Sequence, residues 1–415
     1  MAVCTPGDVP SIITGYLGFE CEGANPIVTI RNPADLEHWT QPVLEVTIIL
    51  GAVLALIHAI RRLRRDGDPT NLTVWIGSLV YLFVIEPPLY FPNWFHAEEA
   101  MGFMFSHNVF TVMFMYDRLP LYIVAFYPAV SQVAYEIVRA WGFFDGSKRS
   151  ALRGSLVLAL VFQTFYEIFD QLGPQLKWWA WNVDAPYYRD TLAQLRAQGI
   201  APDELGNPAA APTLAAVPWG SVWLFATVSF AVLVYVAVRL VQIPTSHGRA
   251  PRGWSLTWRV VVSGVLAVVS MPLLSIPTGL FGRDENANHD AQTVVYWVEM
   301  ALVWGIGLTL LYVQWRRMRS DPTLGVDDAR SARPFLVVFP VLFLGVHLVL
   351  WCTALPAYLD AEDGITADNT PIGSLPYVIA CLVVAVGVLG VALVRGLRTV
   401  DDSPAVAGTP STSGV

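Results

Sequence analysis

The sequence predicts an all-α fold: a polytopic membrane helix bundle of about nine transmembrane helices. Three observations carry this. Of 415 residues, 54% are hydrophobic and 14% charged, with a mean hydropathy of +0.51, whereas soluble domains carry about 25% charged residues. Apolar runs approaching the roughly 20 residues that a hydrocarbon core requires recur along the chain. Lysine and arginine fall on alternate connections between those runs.

The spans are expected near 42–60, 73–90, 119–138, 154–172, 218–240, 257–279, 294–315, 334–353 and 375–394. They are too long and too continuous for barrel strands of about 10 alternating residues. Before them, residues 1–41 are polar and rich in Gly and Pro, without the basic and apolar regions of a secretory signal. The first span is therefore expected to act as its own insertion signal. Residues 42–398 form one integral domain, and 399–415 read as a disordered tail.

The basic residues set the expected orientation. Arg61, Arg62, Arg64 and Arg65 follow the first span, and Arg139, Lys148, Arg149 and Arg153 follow the third. Arg239, Arg249, Arg252 and Arg259 follow the fifth, Arg316, Arg317, Arg319, Arg330 and Arg333 the seventh, and Arg395 and Arg398 the ninth. Together these are 19 of the 25 basic residues. The positive-inside rule then places the N-terminus outside and the C-terminus in the cytoplasm, in a multi-pass protein of the cell membrane. The same parity makes Phe103 to Met115, apolar but too short to span, a re-entrant or interfacial segment on the outer side. The outer connection 173–217 holds an aromatic cluster and a polar helical stretch from Tyr188 to Gln198.

Cysteine usage points to no zinc site, having neither C-x-x-C nor Cys/His spacing. Cys352 and Cys381 fall in or beside spans. Cys4 and Cys21 share the N-terminal segment, where a disulfide between them is open. Neither a phosphate-binding loop nor a dinucleotide fingerprint occurs. No cofactor and no metal is expected, and the expected partners are the lipid bilayer and a lipophilic small molecule, not nucleic acid.

Charged groups within spans cost about 2.5–3.5 kcal/mol at a helix centre, so each one needs a reason. The candidates are Glu45, Glu86, Glu136, Glu167, Asp170, Glu299 and His347. All but Glu136 fall towards the outer ends of their spans, which predicts a polar cavity opening outward. Glu45 and Glu136 are expected to be solvated at helix ends. Asp117 and Arg118 are expected to close on each other. Gln163, Tyr166, Glu167 and Asp170 follow i, i+3, i+4, i+7 spacing and are expected to share one helix face. Two carboxylates three residues apart repel when both ionise, so one is expected to hold a raised pKa and stay neutral beside its ionised neighbour, the arrangement that acid–base chemistry uses. After them, Trp178, Trp179 and Trp181 wall a pocket, or else form an aromatic belt at the membrane surface.

A partial repeat supports the same region. "VIEPPLYFPNWF" (84–95) and "FYEIFDQLGPQLKWWAWN" (165–182) each place Glu, Pro and Trp at a helix end. Each precedes a helix with Pro near its start, as "SLPYVIA" (374–380) also does. Trp94, Glu299 and His347 join the substrate-facing candidates, although a lone His on an apolar span is more often a packing residue.

Glu86-Pro87 ending one span and Arg118-Leu119-Pro120 opening the next resemble the membrane-embedded spirocyclase family typified by avermectin spiroketal cyclase. The likeness covers roughly residues 75–240. It departs from the family's pattern in the aromatic stretch after Glu167 and in the additional C-terminal spans. More distantly, the chain is similar to membrane carotenoid hydratases and cyclases. The resemblance implies acid-catalysed cyclisation, dehydration or hydration of a polyketide or isoprenoid-type substrate, as in secondary metabolism. It assigns no catalytic residue.

The residues themselves suggest Glu167 and Asp170 as proton donor and acceptor, Glu86 to orient or share the proton, and Arg118 to bind an oxygen or hold a carboxylate. A proton-coupled transporter and a non-catalytic scaffold are the alternatives. Acids within the membrane fit the transporter, but their grouping in one layer is not a path.

Overall fold

The computed structural model describes residues 9–20, 23–95, 101–183, 185–199, 211–282 and 286–397. Cys4, Cys21, Arg283 and the tail 399–415 lie outside the described residues. Among the described residues, nine helices are long and apolar enough to cross a membrane. They are α2 (Thr40–Asp66), α3 (Thr70–Tyr90), α4 (Leu121–Ala140), α5 (Lys148–Asp170), α7 (Ser221–Ser246), α8 (Trp254–Gly279), α9 (His289–Ser320), α11 (Phe339–Leu359) and α12 (Leu375–Arg395). Among the described residues, three shorter helices of at least eight residues accompany them: α1 (Val9–Tyr16), α6 (Pro186–Ala197) and α10 (Val326–Leu336). The nine expected spans coincide with the nine long helices, and the chain is a multi-pass membrane helix bundle.

Several helices outrun the apolar windows that predicted them. α2 continues through its arginines to Asp66 and stops at Gly67, whose φ of 64° gives the left-handed cap that glycine adopts without strain. Arg64 and Arg65 in that last turn complement the negative end of the helix dipole.

Burial sorts the helices. The apolar windows of α4 and α5 are 89% and 83% buried, against 28% in α8 and 22% in α9. The centre of the bundle is thus α4 and α5, and α8 and α9 leave large apolar side chains such as Val269, Leu273, Val294 and Leu302 exposed.

One end of the bundle is capped by short strands. β1 (Val28–Ile30), β3 (Val112–Phe114) and β4 (Leu119–Pro120) form one antiparallel sheet, and β2 (Phe105–His107) pairs with β5 (Trp179–Trp181). Segment 103–115, expected as a re-entrant or interfacial piece, holds two short strands, Phe105–His107 and Val112–Phe114, with a short connection between them. Backbone groups in so apolar a stretch need partners, and three other strands, β1, β4 and β5, supply them. The chain leaves β3 through Met115, Tyr116 and Asp117, all with positive φ between 55° and 60°. Left-handed backbone is costly for such residues. Here it turns Asp117 towards Arg31, whose Nη2 lies 2.6 Å from Asp117 Oδ2. The expected closure of Asp117 on Arg118 gives way to this longer-range pair.

Glu45 and Glu136 are not solvated helix-end acids. Glu45 is buried and accepts from the Thr111 amide at 3.0 Å and the Thr111 hydroxyl at 2.5 Å, pinning the strand cap to α2. Glu136 is buried at the arginine-rich end of α4. It meets Arg139 Nη2 at 2.7 Å, His58 Nε2 at 3.1 Å and the Asn71 amide at 2.5 Å. Arg139 also reaches Asp328 at 2.5 Å, so the cluster ties α2, α3, α4 and α10 together. Hydropathy identifies an acid near a helix end but not the neighbours that remove it from water.

Candidate active site

The site lies where the ends of α3 and α5, the start of α4, the start of α7 and the β2–β5 pair converge. Glu86 stands in the last turn of α3, just before Pro87 and Pro88. Prolines there lack the N–H that would bond back one turn, so the helix end is loosened while the backbone stays helical. Tyr127 donates to Glu86 Oε1 at 2.5 Å. Its ring stacks on Phe230 with centroids 5.5 Å apart, which fixes where the hydroxyl points.

On α5, Tyr166 and Asp170 are four residues apart and face the same way. Asp170 Oδ2 accepts from Ser221 Oγ at 3.3 Å. Ser221 opens a π-helical stretch, Ser221–Val228, at the start of α7. Such widened turns often accompany functional sites.

The β2–β5 pair closes the site from the capped end. Its register places Phe105 opposite Trp181 and His107 opposite Trp179. Side chains two residues apart on a strand share a face, so all four rings point the same way. The Nδ1 of His107 lies 3.0 Å from the Tyr122 hydroxyl. Burial lowers the pKa of His107 from 6.5 to about 3, which keeps its ring neutral.

Glu86, Asp170, Tyr127, Tyr166, His107 and the rings of Phe169, Trp179 and Trp181 enclose a cavity of about 20 Å³. That is room for about one water. Both acids are at most 2% exposed. Glu86 Oε2 and the indole nitrogens of Trp179 and Trp181 have no hydrogen-bond partner among the described residues. The cavity thus combines two carboxyl groups, two indole donors, two phenols and a neutral imidazole within aromatic walls.

Of the residues predicted from the sequence, the structure brings together Glu86, Tyr166, Asp170, Trp179 and Trp181. The expected single face of α5 divides in two. Glu167 accepts from Gln171 Nε2 at 2.9 Å, and Gln171 Oε1 accepts from the Ser374 amide at the start of α12. Gln163 bonds Thr227 at 2.6 Å and Trp304 at 2.9 Å, linking α5 to α7 and α9. At about 100° per residue, the four positions span an arc wide enough to serve two neighbours.

The remaining candidates lie elsewhere. Trp178 is fully buried and donates to Thr40 Oγ1 at 3.2 Å, outside the cavity lining. The burial of all three clustered tryptophans removes the aromatic-belt reading. Trp94 is 39% exposed, stacks on Phe91 and does not line the cavity. Glu299 is half-buried on α9 and does not line the cavity. His347 packs on Phe343 at 4.1 Å and shares its Nδ1 with the Phe343 carbonyl at 2.8 Å, the packing role. Arg118 is buried and donates to Ser106 Oγ at 3.2 Å, bracing β2 from outside the cavity.

His107, Tyr122, Tyr127 and Ser221 escaped the sequence reading. One signal was available: Phe105 and His107 stand in the alternation of a strand, inside a segment too short to span.

Comparison with protein-family models, with curated proteins and with solved structures finds no significant match to this chain.

Proposed function

We propose that this protein is an integral-membrane enzyme of acid–base chemistry, catalysing cyclisation, dehydration or hydration of a lipophilic polyketide or isoprenoid-type substrate. One observation carries the reading: Glu86 and Asp170, from different helices, face one small aromatic-walled cavity. Such reactions need a proton donor, a proton acceptor and a shaped, dry space.

In a dehydration, Glu86 gives a proton to the substrate hydroxyl. The C–O bond breaks, its electron pair leaving with the oxygen as water. Asp170 takes a proton from the adjacent carbon, and the C–H electrons become the new double bond. Hydration is the reverse. In a cyclisation, a second hydroxyl of the same substrate attacks the cationic carbon and gives its proton to Asp170. The ring faces around the cavity favour the positive charge that develops on carbon.

The test expresses the wild type, Glu86→Gln and Asp170→Asn in the same host and profiles lipid extracts by mass spectrometry. The wild type should produce features that differ from a host lipid by one water, or isomers of one that differ in retention, and both variants should lack them. Identical profiles for the wild type and the double variant, at equal membrane expression, would sink the reading.

A further inference from the structure

A second cavity, of about 290 Å³, lies beside the acid site between α3, α7, α8 and α9. Ligand pockets begin near about 300 Å³, whereas the acid cavity holds about 20 Å³. No carbon skeleton fits between the acids as they stand; only an oxygen substituent does. The bulk of a substrate must sit next door.

We propose that this larger chamber seats the hydrocarbon part of an amphiphilic substrate drawn from the bilayer, with the Phe103 ring as the partition between chain and acids. The inference rests on the enzymatic reading above and says where its substrate binds.

Three observations support it. The two cavities share a wall: Ile85 of the chamber precedes Glu86, and Leu224 precedes Phe225 of the acid cavity. Phe103 touches residues of both walls, its ring 5.6 Å from Trp181 and 6.4 Å from Phe225 on the acid side. It lies against Gly220, where a Cβ would come within 2.6 Å of the ring, so only glycine lets the ring stand there.

The chemistry of the walls is graded. Leu224, Val268 and Met271 are apolar, whereas Gln292 and Tyr296 bring polar groups to the same chamber. The Gln292 side chain already bonds the Gly282 carbonyl at 2.8 Å and His289 at 3.1 Å, so it is a held polar point rather than a mobile one. That pattern fits a chain with a polar group, not a pure hydrocarbon.

The chamber also lies on the exposed flank of the bundle. α8 and α9 are its least buried spans, and Leu273 and Leu280 beside the chamber are 62% and 76% exposed. A lipid-soluble molecule reaches it from the side.

The test reconstitutes the full chain in phosphatidylcholine vesicles with a long-chain primary alcohol carrying a mid-chain diazirine. After irradiation, labelled residues are mapped by peptide mass spectrometry. The expected result is labelling of Leu224, Val268 or Met271. Leu224→Trp should cut it at least tenfold while labelling of Leu273 and Leu280 is unchanged. Met271→Trp serves as a second filling variant if the first misfolds, judged by size-exclusion profile. Phe103→Ala should extend the label to Trp181 or Phe225. Asp170→Asn should label like the wild type yet lose product, so a failed enzymatic reading and a failed chamber give different results. The proposal is overturned by an unlabelled chamber or by equal labelling in both filling variants, which is bilayer contact only. It is also overturned by a co-purifying phospholipid in the chamber that the alcohol does not displace. The partition role falls if Phe103→Ala leaves the pattern unchanged.

Discussion

The hydroxyl of Tyr127 donates to Glu86 at 2.5 Å, while the other carboxylate oxygen, Oε2, has no partner among the described residues. Tyr127 holds one oxygen, and the Tyr90 hydroxyl lies beside the same carboxyl group. A phenylalanine at position 127 removes the bond and keeps the ring on Phe230. Tyr127→Phe should lower activity about tenfold, the equivalent of one bond of about 1.4 kcal/mol. Thermal unfolding in detergent should show a loss of about 1–3 kcal/mol, the cost of an unsatisfied buried acceptor.

The two acids of α5 should behave differently despite their three-residue separation. Asp170→Asn should lower turnover by about 10²–10⁴, the usual contribution of general acid–base catalysis. Glu167→Gln should leave turnover near wild type, because Glu167 bonds Gln171 and does not line the cavity. Equal losses in the two variants would falsify the assignment of Asp170 alone.

His107 predicts a pH dependence of stability. The unfolded ring binds a proton below about 6.5, but the folded one does so only near about 3. Between those values the unfolded state holds more protons, so stability falls as pH falls. The slope reaches about 1.4 kcal/mol per pH unit, and the contribution is fully present above 6.5. Unfolding midpoints of the wild type should drop between pH 6.5 and 4 more steeply than those of His107→Gln. Parallel curves for the two proteins would remove this role.

At the other end of the bundle, Glu136→Ala leaves Arg139 and His58 without their shared carboxylate. Breaking a buried ion pair costs about 3–5 kcal/mol. The variant should unfold at markedly lower temperature, whereas Glu299→Gln, half-buried and unpaired at Oε2 among the described residues, should change little.

The fold was largely legible because membrane spans are written as composition. Each helix must satisfy its own backbone in hydrocarbon, so a long apolar run is enough to place it. The candidate site was legible only in part. Glu86 and Asp170 stood out as costly charges, but nothing local separated Asp170 from Glu167 on one arc of α5. His107 became a wall residue through a strand partner more than 70 positions away, His107 opposite Trp179. Tyr127 looked like one aromatic among many until Glu86 was placed beside it.

By itself the sequence determined which segments are spans, since hydrophobic length is a property of each segment alone. Only the tertiary structure decided which carboxyl groups meet, what wall encloses them and which acids are merely paired. Those outcomes depend on helix rotation and strand register, where about 100° of turn or a shift of one residue moves a side chain to another neighbour.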